Sequence, residues 1–173
     1  MKWLSFLRKV TAVATLLAGS MLACAQPDRI YKSLDEVTDP AEVYNLRLRN
    51  KRLKTVPVEV YGMTNLHELD LRGNHISELS DSIILLQNLQ RLELSRNPLM
   101  GLPAVMAQME SLRELVLWDT YVTDFPATFD QLDGTLELLD LRSCPLLPAD
   151  QERIARMLPS VKKLWDKACN CGD

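Results

Sequence analysis

Leucines recur along the middle of this chain at a fixed spacing of 23 residues. Leu69, Leu92 and Leu115 stand at this interval, and leucines three positions before and two positions after each of them repeat it. Two leucines separated by one residue lie on the same face of a β-strand, because side chains alternate between the two faces. The pattern therefore predicts one short strand in each repeat, with an apolar face turned inward and a more polar face turned outward.

Each repeat also carries a polar or small residue where the chain leaves the predicted strand. Asn74 and Asn97 hold this position in two successive repeats, and Lys51, Thr120 and Cys144 hold it in the others. An Asn side chain can hydrogen-bond the backbone groups that such a turn leaves unpaired. We therefore expect this position to stabilise the turns, with Lys51 open to water and Cys144 acting as a small structural residue.

Agreement at several positions in successive units resembles the leucine-rich-repeat family, in the 23-residue subtype that carries Leu-Pro after the strand. Five units are clear, and they start near Val43, Leu66, Leu89, Leu112 and Leu136. A degenerate sixth unit follows at Val161. The resemblance covers about residues 43–148 and implies an α/β solenoid whose five to six parallel strands form a concave sheet. A lone unit cannot bury its apolar face, so stacked neighbours must supply the core.

The flanking segments predict helical caps, because a solenoid would otherwise expose apolar ends. Residues 26–42 form the predicted N-terminal cap, in which Ser33 and Glu36 have capping-box spacing and open a short helix that ends near Thr38. Residues 149–173 form the predicted C-terminal cap and tail. There we expect Asp150 to be the N-cap of a helix that ends near Met157.

Residues 1–25 have the pattern of a bacterial export signal. Lys2, Arg8 and Lys9 form a positive segment, and the apolar stretch over residues 10–22 is too short to span a bilayer. Two cleavage sites remain open. Cleavage before Cys24 would give a lipoprotein anchored through that cysteine, whereas cleavage before Gln26 would give a soluble secreted protein. We expect an exported protein, located in the periplasm or at the outer membrane and cell surface.

The outward positions of successive strands are expected to form parallel columns across the sheet. The predicted columns are Asn45, Glu68, Arg91, Glu114 and Leu138; Arg47, Asp70, Glu93, Val116 and Asp140; and Arg49, Arg72, Ser95, Trp118 and Arg142. Cross-strand pairing on a solvated face explains most of the charges. It does not explain the apolar Val116, Trp118 and Leu138, beside which Tyr121 follows the strand.

Trp, Tyr and Arg are the residue types most enriched at binding hot spots. We therefore expect a Trp118–Tyr121 cluster with arginines nearby to bind a partner. The predicted partner-binding residues are Arg72, Arg91, Val116, Trp118, Tyr121, Asp140 and Arg142.

Several function classes are disfavoured. The formal net charge of -3 gives no basic face for nucleic acid. The two histidines, His67 and His75, have no Cys, Asp or Glu at metal-ligand spacing, and no Gly-rich phosphate loop is present. We therefore expect no metal, no cofactor and no catalysis. The resemblance implies a non-catalytic protein-binding module of the cell envelope. Two alternatives remain: a structural envelope component without a discrete ligand, and a carbohydrate-binding module in which Trp118 and Tyr121 stack on sugars.

Overall fold

The computed structural model describes residues 28–166. The predicted signal peptide, including Cys24, lies outside this range, so the export signal and its cleavage stay predictions. Seven parallel strands form one sheet in which spatial order follows chain order. The strands are β1 (Ile30–Tyr31), β2 (Asn45–Arg47), β3 (Glu68–Asp70), β4 (Arg91–Glu93), β5 (Glu114–Val116), β6 (Leu138–Asp140) and β7 (Lys162–Leu164).

The repeated leucines stack as the spacing predicts. Leu69 pairs with Leu92, and Leu92 pairs with Leu115, in parallel register. All three are fully buried, and the same position in β2 and β6 is also a buried leucine. The predicted solenoid with a parallel sheet is confirmed. The sheet exceeds the expected five to six strands, because the N-terminal flank adds β1 to the edge of β2.

Short 3-10 helices complete the coils on the side opposite the open face, by which we mean the outward side of β2–β7. They span Val58–Gly62, Asp81–Leu85, Ala104–Gln108 and Ala127–Gly134. Each buries at least one large apolar side chain: Val60, Ile83 and Met106 in the first three helices, and both Phe129 and Leu132 in the fourth. The coils therefore share one continuous core. No helix within residues 28–166 combines the length and apolar character that crossing a bilayer requires.

The N-terminal cap differs in detail from the predicted helix. It holds two 3-10 helices, Leu34–Glu36 and Pro40–Glu42. The Ser33 side chain accepts a hydrogen bond from the Asp35 backbone N–H, at 3.3 Å, but the Glu36 carboxylate accepts from the Lys32 N–H rather than closing a box. The helix that begins after Ser33 ends at Glu36 rather than near Thr38, because the backbone of Val37 is already extended.

The C-terminal cap contains the single α-helix of residues 28–166, α1 (Pro148–Met157). Its N-cap is Leu147 rather than Asp150, since Pro148 takes the first helical position, where its missing N–H has no partner to lose. Asp150 sits one turn in and accepts a hydrogen bond from the Leu147 N–H at 3.0 Å. The predicted end at Met157 is confirmed.

Lys163 ends the column of buried leucines. It pairs with Leu139 across β6 and β7, where every earlier strand from β2 onward has a leucine. Its ammonium group donates to the backbone carbonyls of Leu158 and Val161, the latter at 2.6 Å. Partial burial lowers the Lys163 pKa. A charge at this position stops the apolar column from continuing into a further coil.

Candidate functional site

A spine of side chains inside the solenoid fixes where each strand turns. Asn74 accepts hydrogen bonds from the backbone N–H groups of Lys51 and Leu53, at 2.9 and 3.1 Å, and donates to the Leu48 and Leu71 carbonyls. Because Asn74 is 3% exposed, water cannot replace these bonds. The expected role of the asparagines in stabilising the turns is confirmed.

The spine is simpler in the later coils. Thr120 donates to the Leu117 carbonyl at 2.8 Å, and the Cys144 thiol donates to the same carbonyl at 3.2 Å. Burial raises the pKa of the Cys144 thiol, so it is held as the neutral donor. This agrees with the structural role expected for Cys144.

The outward residues form the predicted columns. Asp70 pairs with Glu93, Glu93 with Val116, and Val116 with Asp140. The three carboxylates of this column are buried, although they belong to a face turned toward solvent. Each accepts the backbone N–H two residues later, at 3.1 to 3.2 Å. They satisfy donors that the strand ends leave free, which explains how acidic groups are tolerated at this depth.

Arginines cover these carboxylates in the earlier coils. Arg49 donates from Nε to Asp70 at 2.6 Å, and this hydrogen bond raises the Arg49 pKa. Arg72 and Arg91 both approach Glu93, each at 3.5 Å. We call this set of cross-strand pairs on β2–β4 the charged ladder. Its acids and bases largely neutralise one another without a partner.

The ladder is interrupted at β5. Val116 stands where Asp70 and Glu93 stand in β3 and β4, and Trp118 stands where Arg72 and Arg142 stand in other coils. Valine offers no acceptor for an arginine, so the cross-strand pairing cannot pass through this position. After Glu114, the next two outward positions of this coil are therefore apolar where the neighbouring coils have charged or polar residues.

A hollow of about 540 Å³ opens over this interruption, and we call it the Trp118 hollow. Its volume falls within the range of about 300–1,000 Å³ that is typical of ligand sites. It is lined by Arg72, Arg91, Glu93, Ser95, Val116, Trp118, Leu138, Asp140, Arg142 and Leu164. Apolar groups of three neighbouring strands thus share one hollow with three arginines.

Arg96 holds the Trp118 indole from one side. Its guanidinium carbon lies 4.4 Å from the ring centroid, and its backbone N–H donates to the Trp118 carbonyl at 2.9 Å. Arg96 has a φ of 56°, in the left-handed region, where a side chain costs about 1–2 kcal/mol. A cation–π contact of this kind stabilises the structure by about 0.5–1 kcal/mol at an exposed site, which partly offsets that cost.

Six of the seven predicted site residues line the Trp118 hollow, and these are Arg72, Arg91, Val116, Trp118, Asp140 and Arg142. Tyr121 does not join them. It is 60% exposed and lines a separate hollow with His75, Arg96 and Asp119. The structure therefore does not place Trp118 and Tyr121 in the same hollow. The chain turns through a left-handed Asp119, with φ of 57°, and this carries Tyr121 past the edge of the sheet.

Sequence reasoning missed Leu164 and Arg96. Leu164 belongs to the degenerate last repeat, whose outward positions the spacing does not assign to a column. Arg96 stands 23 residues after Gly73, which also has a positive φ. Because glycine often occupies left-handed positions, its presence at the equivalent position of the preceding repeat could have predicted a left-handed backbone at Arg96.

The structure places the two histidines in different surroundings. The His67 ring packs edge-on against Tyr44, with centroids 5.3 Å apart, and His75 is exposed. Among residues 28–166, no group of three or more His, Cys, Asp or Glu side chains is placed to hold a metal ion.

Comparisons with known proteins agree with this architecture. The profile of the family described as "leucine-rich repeat region" matches residues 31–165. The structure is similar to that of a leucine-rich-repeat protein of Leptospira interrogans, with a TM-score of 0.51 and 22% sequence identity. That alignment covers 82% of this chain and 49% of the other, so this chain spans about half the length of that structure. At this identity the likeness concerns the fold alone. No curated protein sequence matches the chain.

Proposed function

Because the chain belongs to the leucine-rich-repeat family, we propose that it is a non-catalytic protein-binding module that receives its partner in the Trp118 hollow. Domains of this family generally mediate protein–protein interactions and are typically non-catalytic scaffolds. The observation that carries the proposal is the sequence of β5 and the turn after it. Among β2–β7 and the turns that follow them, this is the place where two successive outward positions are both apolar. They are occupied by Val116 and Trp118.

The energetics of the open face favour this hollow over the charged ladder. The ladder's carboxylates already have arginine partners in the free protein, so covering these pairs with another protein forms few new interactions. Apolar area contributes about 25 cal/mol per Å² when it is removed from water. Trp118, Leu138 and Leu164 are only partly buried in the free protein, so a partner can bury what remains.

We place the module in the bacterial cell envelope on the strength of residues 1–25, whose charged and apolar segments have the pattern of an export signal. The anchor at Cys24 and the soluble form that starts at Gln26 are the two products this signal allows. Mass spectrometry of the mature N-terminus distinguishes them, because lipid attached to Cys24 adds mass and a start at Gln26 excludes the anchor.

The carbohydrate alternative receives less support. It needs aromatic faces that are free to stack on sugar rings, and one face of the Trp118 indole is covered by Arg96. Tyr121, the second aromatic residue expected to take part, lines a different hollow. The purely structural alternative does not explain why apolar residues interrupt the charged ladder at Val116.

Affinity capture from envelope extract tests the proposal. The baits are the wild-type protein, Trp118→Ala and Tyr121→Ala, each immobilised at equal density after circular dichroism has verified folding. We expect a protein that wild type and Tyr121→Ala retain and that Trp118→Ala loses. Tyr121→Ala is the matched control, since it also removes an aromatic ring but from outside the hollow. Equal capture by all three baits would contradict the proposal.

A further inference from the structure

We propose that the partner presents an acidic peptide segment to the Trp118 hollow, in which at least one carboxylate stands next to an aliphatic or aromatic side chain. This inference rests on the proposed function and specifies the chemistry of the partner. It follows from which charges of the hollow an approaching molecule can touch, and from what lies between them.

The formal charges of the hollow are nearly balanced, but the accessible charges are not. The carboxylate side chains of Glu93 and Asp140 are only 4% and 6% exposed. The guanidinium-bearing side chains of Arg72 and Arg91 are each 37% exposed, and that of Arg142 is 52% exposed. A partner therefore meets cationic groups, while the anionic groups lie beneath them. This arrangement is complementary to a negatively charged segment.

The arginines differ in how much bonding capacity they have left. Arg142 is held by Asp140 through Nε at 2.9 Å and through a terminal nitrogen at 2.6 Å, and the Asp140 hydrogen bond raises its pKa. Arg72 reaches Glu93 at only 3.5 Å and Asp70 at 3.9 Å, and its Nε is buried with no hydrogen-bond partner among the described residues. Arg72 is therefore the guanidinium best able to turn toward an added carboxylate, which it can bind in a bidentate manner.

The rest of the hollow supplies apolar contact beside that cation. Val116, Leu138 and Leu164 come from three successive strands, and the Trp118 indole stands next to them. An acidic peptide can place an aliphatic or aromatic side chain on these groups and a neighbouring carboxylate on Arg72. The headgroup of an anionic lipid, or an acidic sugar, offers the charge without an apolar side chain to bury here. The observations therefore favour a peptide.

Selection from a random heptapeptide library displayed on phage tests the proposal while the natural partner is still unidentified. The purified wild-type protein is the bait, and vesicles containing phosphatidylglycerol and an array of acidic glycans are assayed in parallel. We expect the enriched peptides to combine Asp or Glu with Leu, Ile, Phe or Trp. Replacing the carboxylate of an enriched peptide with the corresponding amide should weaken its binding about tenfold, as measured by calorimetry.

A double-mutant cycle then tests whether that carboxylate meets Arg72. Arg72→Gln removes the charge, while Asp70 keeps Arg49 and Glu93 keeps Arg91. The matched control is Arg156→Gln, which removes the same charge from an exposed position on α1. On Arg72→Gln the acid and amide forms of the peptide should bind within about twofold of each other, whereas Arg156→Gln should keep the tenfold difference. Equal discrimination by both variants would overturn the proposal.

The outcomes separate the failure of this inference from that of the proposed function. Enrichment of basic or uncharged peptides whose binding still requires Trp118 overturns the acidic segment and leaves a protein-binding hollow. Binding to vesicles or glycans with no peptide enriched overturns both. Peptides that bind wild type and a folded Trp118→Ala variant equally well also overturn both, because the hollow would then have no part in recognition.

Discussion

The outward positions of the sheet are charged or polar throughout β2–β4, whereas those of β5–β7 mix apolar with charged residues, although the strands of both regions pair in the same parallel manner. In the first region Asp70 and Glu93 each lie under arginines and accept a backbone N–H. In the second region Val116 breaks this pattern and Leu138 and Leu164 extend the break. The acidic residues of the first region already have their partners, whereas the second region leaves apolar surface that a bound protein can cover.

The difference shows which positions of a repeat determine the fold and which remain free for function. Leu69 and Leu115 occupy the same inward position and are equally buried, so the core does not distinguish the two regions. The outward neighbours Asp70 and Val116 differ completely in chemistry while the backbone pairing continues past both. Function can therefore be changed at the outward positions without rebuilding the solenoid.

The same contrast runs through the turn spine, and it gives the largest expected effect on stability. Asn97 accepts from the Ile76 N–H and donates to the carbonyls of Leu71 and Leu94, whereas Thr120 donates to one backbone carbonyl. Asn97→Ala should lower the free energy of unfolding by about 3 kcal/mol, because buried backbone groups lose their partners. Thr120→Ala should lower it by about 1 kcal/mol.

Urea unfolding followed by circular dichroism measures both changes. The protein should remain cooperative in each case, so the transition midpoints can be compared at a common slope. If the two variants lose equal stability, the spine does not distinguish the two regions and the comparison is limited to the open face.

The sequence was most informative where the residue pattern itself enforces the structure. Leu-x-Leu at a spacing of 23 permits one stacking arrangement, so the register from β2 to β6 and the columns of the open face could be predicted. The ends were harder to predict, because β1 is held by pairing with β2 rather than by a repeat of its own. The site was predicted in its composition but not in its geometry. The alternation of apolar and polar residues predicts strands but not turn geometry, so it could not predict that Tyr121, after the left-handed turn at Asp119, lines a different hollow from Trp118.

Conversion of the second region into the first is the sharpest test of binding. Val116→Asp together with Trp118→Arg gives β5 the Leu-Asp-Leu-Arg order that β3 and β6 already have. Removing a hot-spot tryptophan and the neighbouring apolar contact costs about 2 kcal/mol or more, so affinity for a partner should fall at least about thirtyfold. Stability should fall by roughly 1–3 kcal/mol, because the new carboxylate replaces a buried valine between the buried acids Glu93 and Asp140, so thermal unfolding must show that the variant is folded at the titration temperature.

Calorimetric titration with the captured partner or an enriched peptide gives the affinity, and thermal unfolding gives the stability. The reciprocal control leaves β5 and Arg72 intact and changes the β2 coil, with Arg47→Val and Arg49→Trp. If that variant also loses binding, the charged ladder takes part in recognition, and the two regions are less separate than the structure indicates.

Among the acidic residues of the open face, we expect the more deeply buried ones to contribute more to the free energy of unfolding. The Asp70 carboxylate is 2% exposed and bonded to Arg49, whereas the Glu114 carboxylate is 37% exposed and pairs with Arg91. Asp70→Asn should lower the free energy of unfolding by about 2 kcal/mol, because a buried charge-assisted hydrogen bond is lost. Glu114→Gln should lower it by less than about 1 kcal/mol, and raising the salt concentration should reduce its effect further. Urea unfolding at low and high salt measures the change for each variant. If both variants lose the same free energy of unfolding, burial of the carboxylate does not determine its contribution.

The smallest expected effect concerns two arginines whose backbones are in the left-handed region, of which only Arg96 contacts the second region of the sheet, through Trp118. Arg52, in the first coil, has a φ of 57° and is exposed. Arg96 has a φ of 56° and also stacks on Trp118. Glycine removes the left-handed strain of about 1–2 kcal/mol but adds unfolded-state entropy of about 0.5–1 kcal/mol. Arg52→Gly should therefore stabilise the protein by roughly 0.5–1 kcal/mol.

Arg96→Gly should leave the stability nearly unchanged, because the gain in backbone freedom is offset by loss of the cation–π contact, which contributes about 0.5–1 kcal/mol. The contact should affect the fluorescence emission of Trp118. This emission is measured in a Trp165→Phe background, in which Trp118 is the one tryptophan left within residues 28–166. Arg96→Gly should shift that emission and weaken partner binding, while Arg52→Gly should change neither. If both substitutions stabilise the protein equally and leave the emission unchanged, Arg96 does not hold the indole. The Trp118 hollow would then owe its shape to the strands alone.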